Sequence, residues 1–282
     1  MGPGGVGHSR LTAHDATTKG DGMGELDGKV ALVTGGTRGI GRAIADAFVR
    51  EGCKGVVING RSPEKGAQAL REMNAGDRVH FISANVKERA DVEMLVAETV
   101  KKYGRIDILV NNAGGGENHA PVAQLTDEAM QDALLWNFWS TFWGMRASLQ
   151  HMLPQQHGRI INISSVEGKH GKPGVSIYVA AKHAINGLTK SCAQEVGTQG
   201  ITVNCICPGA IETDIMKEAG PQAAEAMGLT YQGLLDWFAE EAAIKRLNTV
   251  EEVAAVAVLL ASDLGGGITG SMISVDGGTA AF

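Results

Sequence analysis

Short apolar segments alternate regularly with segments of helical spacing from Lys29 to the end of the chain. Strands that are almost wholly apolar and separated by helices are typical of a parallel sheet covered by helices on both faces. Right-handed crossovers make such a sheet doubly wound. The pattern therefore predicts a single-domain α/β fold, a doubly wound (Rossmann) seven-stranded parallel sheet. The predicted strands are Val30–Thr34, Val56–Asn59, Val79–Ile82, Ile106–Val110, Arg159–Ser164, Ile201–Ile206 and Met272–Val275.

Two segments depart from the alternating pattern. Residues 1–25 are polar and glycine-rich without the apolar core of a signal peptide, so we expect a disordered N-terminal extension before a domain at 26–282. Residues 211–244 carry a looser pattern that predicts short helical pieces inserted before the last helix and strand.

Charge and cysteine content exclude several classes of protein. The 31 acidic and 25 basic residues leave a net charge of −6, which argues against nucleic acid or an anionic membrane surface as the main partner. The longest apolar run, Ala254–Ala261, is far shorter than the roughly 20 residues of a membrane-spanning helix. Four cysteines do not form a disulfide framework, and no Cys/His pair completes a zinc site beside Cys205 and Cys207. We expect no bound metal, reduced thiols and a cytoplasmic location.

A glycine pattern joins the first predicted strand to the first helix. With 39 glycines in 282 residues, its three fixed positions are matched about 0.8 times by chance, so only its place in the chain is informative. Glycines at a strand-to-helix turn let a pyrophosphate approach the helix N-terminus, where free N–H groups favour an anion. The loop predicts dinucleotide binding through Gly35, Thr37, Arg38, Gly39, Ile40 and Gly41.

The end of the second strand bears on the choice of cofactor. An NAD site usually has a carboxylate there for the ribose 2′-hydroxyl, whereas an arginine suits a 2′-phosphate. Asn59 occupies the carboxylate position and is followed by Arg61 and Ser62, and Arg38 offers a second positive charge. NADP(H) is favoured over NAD(H), although both arginines could instead be solvated surface residues.

A tyrosine and a lysine lie four residues apart on one predicted helix. Tyr178 and Lys182 therefore share a helix face. A phenol needs help to exchange a proton at neutral pH, and an adjacent ammonium can stabilise its phenolate. The pair alone has a substantial chance of arising at random.

Taken together, the motifs resemble the short-chain dehydrogenases/reductases over residues 26–282. The resemblance rests on Thr34–Gly41, Asn111–Gly114, Ser165 thirteen residues before Tyr178, Lys182 four residues after it, and the pair Pro208 and Gly209.

The resemblance implies four catalytic residues. Tyr178 is expected to be the general acid in ketone reduction, and Ser165 to hydrogen-bond the substrate oxygen. Lys182 is expected to hold the nicotinamide ribose and to lower the pKa of Tyr178. Asn137 matches the asparagine that anchors a water in the proton relay.

The resemblance also implies cofactor contacts, a small-molecule carbonyl or alcohol substrate, and a homotetramer. Where the family commonly has Asp-Val after the third strand, this chain has Asn85 and Val86, and an amide still accepts a hydrogen bond. The other implied cofactor contacts are Asn112, Ala113, Gly114, Tyr178, Lys182, Pro208, Gly209, Ile211 and Thr213.

Features near the expected pocket bear on the substrate. The 211–244 segment matches the substrate lid of the family, and its apolar side chains suggest an apolar or aromatic substrate, although helix burial explains them equally well. Glu167, two residues after Ser165, is a candidate for substrate specificity. A stripe of Trp136, Trp139 and Trp143 favours the core or a subunit interface over a substrate contact.

Three functions remain open. The first hypothesis is an NADP(H)-dependent oxidoreductase that interconverts a ketone and a secondary alcohol, and an acyl-carrier-protein-linked oxoacyl reductase shares its motifs. The second is an NAD-dependent hydroxy-acid dehydrogenase similar to 3-hydroxybutyrate dehydrogenases. The third is a nucleotide-binding protein without turnover, which the presence of all four catalytic residues disfavours.

Overall fold

A computed structural model describes residues 24–116 and 119–280. Residues 1–23 of the predicted disordered extension lie outside the described residues. The last two residues of that extension are described, and the Glu25 N–H donates to the Glu51 carboxylate at 3.1 Å.

The strands form one seven-stranded sheet in the order β3-β2-β1-β4-β5-β6-β7, and every neighbouring pair is parallel. This confirms the predicted fold class. The strands are β1 Val30–Val33, β2 Gly55–Gly60, β3 Val79–Ser83, β4 Ile108–Asn111, β5 Gly158–Ile163, β6 Ile201–Pro208 and β7 Met272–Val275.

Helices cover both faces of the sheet. They are α1 Gly39–Arg50, α2 Pro63–Met73, α3 Arg89–Tyr103, α4 Asp127–Leu134, α5 Ser140–Gln155, α6 Ser176–Val196, α7 Asp214–Ala226, α8 Tyr231–Glu241 and α9 Val250–Ala261. Phe48 of α1 and Ala257 of α9 belong to one buried apolar cluster, and Leu95 of α3 and Met152 of α5 belong to a second. The central strands are buried by both clusters, which explains why they are apolar throughout.

The 211–244 segment contains α7 and α8, as its looser pattern predicts. Within the described residues, no helix combines the length and the apolar character needed to cross a bilayer.

The helical stretch formed by α4 and α5 is interrupted. A π-helical turn, Leu135–Trp139, lies between α4 and α5 and contains the buried Asn137. Such turns are rare and often occur at functional sites.

The strand order reverses between β1 and β4. In open parallel sheets, ligands bind in the crevice beyond the carboxyl ends of the strands at such a switch point. The loops after β1, β2, β4, β5 and β6 all open at this edge, and they contain most of the predicted site residues.

Candidate active site

A cavity of about 1210 Å³ lies at the carboxyl edge of the sheet. It is lined by nearly all of the residues that the sequence singles out. Those on its wall are Gly35, Thr37, Arg38, Gly39, Ile40, Asn59, Arg61, Ser62, Asn85, Val86, Asn112, Ala113, Gly114, Ser165, Tyr178, Lys182, Pro208, Gly209, Ile211 and Thr213. Gly41 and Asn137 are not on this wall.

The glycine loop turns the chain from β1 into α1. Gly35 and Gly39 have φ angles of +65° and +57°, a region that side chains rarely adopt. Arg38 occupies the N-cap position of α1, and its side chain accepts no hydrogen bond from the first turn. The N–H groups at this helix end therefore remain available to an anion in the cavity.

Asn59 braces the glycine loop. Its side chain is buried, with Oδ1 accepting from the Gly35 N–H at 2.9 Å and Nδ2 donating to the Ala84 carbonyl at 3.1 Å. The amide thus ties the loop after β1 to the loop after β3. The sequence indicates Asn59 only by its place at the end of β2, and this bracing role depends on tertiary contacts.

Gly41 does not line the cavity but leaves room for a side chain that packs against the loop. A Cβ there would collide with the Asn112 side chain, whose Nδ2 donates to the Thr34 carbonyl at 2.9 Å. The Thr34 hydroxyl accepts from the backbone N–H groups of Asn112 and Ala113 at 2.9 and 3.0 Å. The loops after β1 and β4 are therefore locked together, and sequence reasoning assigned no such role to Thr34.

Basic side chains line one end of the cavity. Arg38 binds Glu218 of α7, with Nη1 at 2.8 Å from both carboxylate oxygens, and Lys65 Nζ lies 4.0 Å from the same carboxylate. Arg61 is exposed on the cavity wall. The Ser62 hydroxyl caps α2 by accepting from the Lys65 N–H. This end can bind an anionic group.

Tyr178 and Lys182 lie one turn apart on α6. The ammonium of Lys182 is 5.4 Å from the centroid of the Tyr178 ring and donates to the Ile163 carbonyl at 2.9 Å. Burial lowers the pKa of Lys182 to about 8, because the interior disfavours the charged form.

The expected lowering of the Tyr178 pKa by Lys182 stays a prediction. Burial of the phenol raises its pKa well above the usual value, against a smaller opposing effect of the Ser165 hydrogen bond. Lys182 is itself buried and directs its ammonium to the Ile163 carbonyl rather than to the phenol oxygen. The buried Tyr178 phenol is therefore a weaker acid than a solvent-exposed tyrosine.

Ser165 follows β5 and begins a single 3-10 turn, Val166–Gly168. Its hydroxyl accepts from the Glu167 N–H at 3.2 Å and donates to the Glu167 carboxylate. Burial leaves Ser165 only 6% exposed. Glu167 also lines the cavity, in keeping with its candidacy for substrate specificity.

Asn137 is 1% exposed and is held within the π turn. Its Oδ1 accepts from the Gly115 N–H at 3.1 Å, and its Nδ2 donates to the carbonyls of Gly115 and Ala133, each at 3.0 Å. The side chain thus positions the loop after β4. Both amide protons are used in this way, so the water-anchoring role stays a prediction.

The remaining cofactor candidates are held by local hydrogen bonds. Asn85 Oδ1 accepts from the Lys87 N–H at 3.2 Å, which turns this amide toward its own loop. The Thr213 hydroxyl caps α7 by accepting from the Met216 N–H at 3.4 Å. A Cβ on Gly209 would meet the backbone of Asp276 at 2.8 Å, so only glycine fits there.

The tryptophan stripe divides between two environments. Trp136 lines the cavity, contrary to the favoured assignment of the whole stripe to the core or an interface. Trp139 is 40% exposed and stacks on Trp143, with ring centroids 5.9 Å apart. Trp136 and Trp139 both lie within the π turn, whose wider period breaks the regular stripe, and helical spacing in the sequence does not reveal such a turn.

All four cysteines are free thiols and buried. Among residues 24–116 and 119–280, no group of three His, Cys, Asp or Glu side chains is arranged to hold a metal ion.

The fold is a doubly wound parallel sheet with a large cavity at its switch point, and comparison with known proteins identifies the family. The model of the short chain dehydrogenase family matches residues 29–224, and the chain belongs to this family of oxidoreductases, which act on carbonyl and CH–OH groups.

Three relatives illustrate the similarity. The chain is 38% identical to a 3beta-hydroxysteroid dehydrogenase of Mediterraneibacter gnavus, over 91% of this chain and 96% of that protein. It is 39% identical to a 3-oxoacyl-[acyl-carrier-protein] reductase of Haemophilus influenzae, over 90% and 98%. Among solved structures, an actinorhodin polyketide ketoreductase with NADPH superposes with a TM-score of 0.86 at 33% identity, covering 92% of this chain and all of that one.

Proposed function

We propose that the protein is an NADP(H)-dependent oxidoreductase that interconverts a ketone and a secondary alcohol, with Tyr178 as the general acid and base. The observation that carries the proposal is the arrangement of one cavity. The tyrosine, serine and lysine of the predicted catalytic set lie on its wall together with the glycine loop and a cluster of cations.

The residues at the cavity fit a dinucleotide. Gly35 and Gly39 give the loop a conformation that keeps side chains away from the uncapped N-terminus of α1, where a pyrophosphate can bind. Arg38, Arg61 and Lys65 provide positive charge at the end where a 2′-phosphate would lie. The actinorhodin ketoreductase structure contains NADPH, which supports the same choice of cofactor.

The chemistry divides between the cofactor and the side chains. When bound, the nicotinamide supplies or accepts the hydride. The Tyr178 hydroxyl gives its proton to the carbonyl oxygen during reduction and takes it back during oxidation. Burial raises the pKa of the phenol, so Tyr178 is protonated at neutral pH and needs the nearby positive charge in order to release its proton. Lys182 holds positive charge beside the phenol ring at 5.4 Å and stabilises the phenolate once the proton has left.

The test of the proposed reaction is turnover of a panel of ketones with NADPH. Wild type is expected to consume NADPH, and Tyr178→Phe to lose about 10²- to 10⁴-fold in kcat while binding NADPH as before. If wild type and Tyr178→Phe are equally inactive on every ketone while both bind NADPH, the protein is a nucleotide-binding protein without turnover.

The cofactor choice has a separate test. Arg61→Ala is expected to raise the KM for NADPH about tenfold and to leave that for NADH nearly unchanged, because only NADPH carries the 2′-phosphate. Equal effects on both cofactors would contradict the assignment of Arg61.

We propose that the chain acts as a homotetramer in the cytoplasm. The exposed ring of Trp139, stacked on Trp143 and edge-on to Phe142 at 5.8 Å, supports a subunit contact on this helix face. Light scattering of the purified protein measures the assembly, and a monomer at micromolar concentration would contradict it.

A further inference from the structure

Glu167 lines the cavity, and its carboxylate is hydrogen-bonded to Ser165 of the predicted catalytic set. Ser165 donates its hydroxyl proton to this carboxylate, and the hydroxyl oxygen in turn accepts from the Glu167 N–H at 3.2 Å. Both residues line the same cavity as Tyr178. The negative charge of Glu167 therefore lies next to the position of the substrate oxygen.

Within the described residues no basic side chain forms a direct ion pair with the Glu167 carboxylate, and Lys182 in the same cavity feels it only as a longer-range attraction, which acts to raise the Lys182 pKa against the larger effect of burial. Glu241, another glutamate on the cavity wall, differs in this respect because Lys172 lies 3.2 Å from its carboxylate. An unpaired carboxylate repels an anionic substrate group and attracts a hydrogen-bond donor or a cation.

The contact also uses the proton that Ser165 needs. A serine hydroxyl has one proton to donate, and the Glu167 carboxylate competes for it with the Tyr178 oxygen, where a hydrogen bond from Ser165 opposes the effect of burial by lowering the pKa. Ser165 can then donate to a substrate carbonyl only if another donor satisfies the carboxylate. A substrate hydroxyl placed near the carbonyl is such a donor.

Distance limits where that hydroxyl can be. Two successive hydrogen bonds, from the carboxylate to Ser165 and from Ser165 to the reacting oxygen, span about 5 Å. A hydroxyl on the carbon next to the carbonyl, or on the one beyond it, lies within this reach. The aromatic side chains of Trp136, Trp237 and Phe238 also line the cavity and can contact an apolar remainder.

We propose that Glu167 selects hydroxyketones, and the corresponding diols in the oxidative direction, and rejects keto acids. The proposal rests on the proposed ketone–alcohol function. A substrate hydroxyl binds the Glu167 carboxylate, and Ser165 is then free to donate to the reacting oxygen beside Tyr178. A substrate carboxylate in the same place meets a like charge and leaves Ser165 engaged with Glu167.

The test compares three aryl ketones of similar size in the presence of NADPH. They are α-hydroxyacetophenone, propiophenone and benzoylformate. The first two carry a hydroxyl or a methyl on the carbon next to the carbonyl group, and benzoylformate carries a carboxylate directly on the carbonyl carbon. For wild type we expect kcat/KM to be at least about tenfold higher for the hydroxyketone than for propiophenone, and lowest for benzoylformate.

Two variants separate charge from hydrogen bonding. Glu167→Gln removes the charge and is expected to raise kcat/KM for benzoylformate about tenfold relative to propiophenone. Glu167→Ala also removes the acceptor and is expected to abolish the preference for the hydroxyketone. Glu241→Gln, at the paired cavity glutamate, is the matched control and is expected to leave both ratios within about twofold.

Ratios within one variant are insensitive to its folding yield, so a merely structural role of Glu167 would leave them unchanged. If propiophenone is turned over but both ratios remain those of wild type in Glu167→Gln and Glu167→Ala, the proposal is overturned and the ketoreductase function stands. Wild-type preference for benzoylformate overturns it as well. If wild type turns over none of the three ketones with NADPH or NADH, the proposed function fails and this inference with it.

Discussion

Arg38 of the glycine loop holds Glu218 of α7, with Nη1 lying 2.8 Å from both carboxylate oxygens. The guanidinium holds the pKa of Glu218 below its usual range, so the carboxylate is ionised at neutral pH. This ion pair joins the predicted cofactor site to the segment that the family resemblance identifies as a lid. It also places the Glu218 carboxylate at the position where the 2′-phosphate of NADPH is expected to bind Arg38.

Glu218→Gln is expected to tighten NADPH binding. Removing the carboxylate frees Arg38 for the 2′-phosphate, so the Kd for NADPH falls about twofold to fivefold while that for NADH stays the same. Fluorescence titration of the purified protein measures both constants. Glu225→Gln, on the same helix, is the control and changes neither. Added salt reduces the difference because the groups are exposed, and a parallel change for NADH would show that Glu218 does not compete with the 2′-phosphate.

Asn59→Ala is expected to lower the stability of the protein and to weaken the binding of both NADPH and NADH. The change leaves the Gly35 N–H and the Ala84 carbonyl without their partner, at a cost of about 1–3 kcal/mol in the free energy of unfolding. Because the brace supports the glycine loop, the KM values for NADPH and NADH are expected to rise in parallel. Urea unfolding and steady-state kinetics measure the two effects. Arg61→Ala provides the contrast, with a selective change for NADPH and unchanged stability.

Lys182→Met is expected to stabilise the cofactor-free protein at pH 7. The native pKa of Lys182 is about 8 against an ordinary value of 10.5, so below pH 8 the native state carries a buried charge. Removing it gains up to about 3 kcal/mol, less about 1 kcal/mol for the lost hydrogen bond to the Ile163 carbonyl.

The pH dependence of this effect has a defined sign. From pH 8 upward, native Lys182 loses its proton while the unfolded chain keeps it, so wild-type stability rises with pH. The advantage of Lys182→Met is therefore expected to shrink between about pH 8 and pH 10. Urea unfolding across this range measures it. A variant less stable than wild type at pH 7, or a difference that does not vary with pH, would contradict the burial of a charged Lys182.

The order of strands and helices could be predicted almost entirely from the sequence. Apolar runs such as Val30–Val33 can only be buried on both faces, and the first helix follows the glycine loop in the structure, at Gly39–Arg50, as the sequence predicts. The interruption at Leu135–Trp139 could not be predicted, because a π turn changes the helical period over only five residues.

Most cavity residues could likewise be predicted, because the loops after parallel strands meet at one edge and the family motifs lie in those loops. The hydrogen-bond partners and the surroundings of these residues could not be predicted. Asn59 braces the glycine loop, Asn137 holds the Gly115 backbone, and Trp136 lines the cavity. These contacts join parts of the chain that are distant in sequence.

The sequence by itself determined the class of this protein: a doubly wound sheet, a glycine loop at its switch point, and the serine, tyrosine and lysine of a short-chain dehydrogenase/reductase. Periodicity and motif order can be found from the sequence because they depend only on the order of residues along the chain. Only the tertiary structure decided the electrostatics of the site. Burial raises the pKa of Tyr178 and lowers that of Lys182. Glu167 accepts a hydrogen bond from Ser165, and Glu218 forms an ion pair with Arg38. Desolvation and charge pairing depend on which groups meet in space, so they become visible only in the folded molecule.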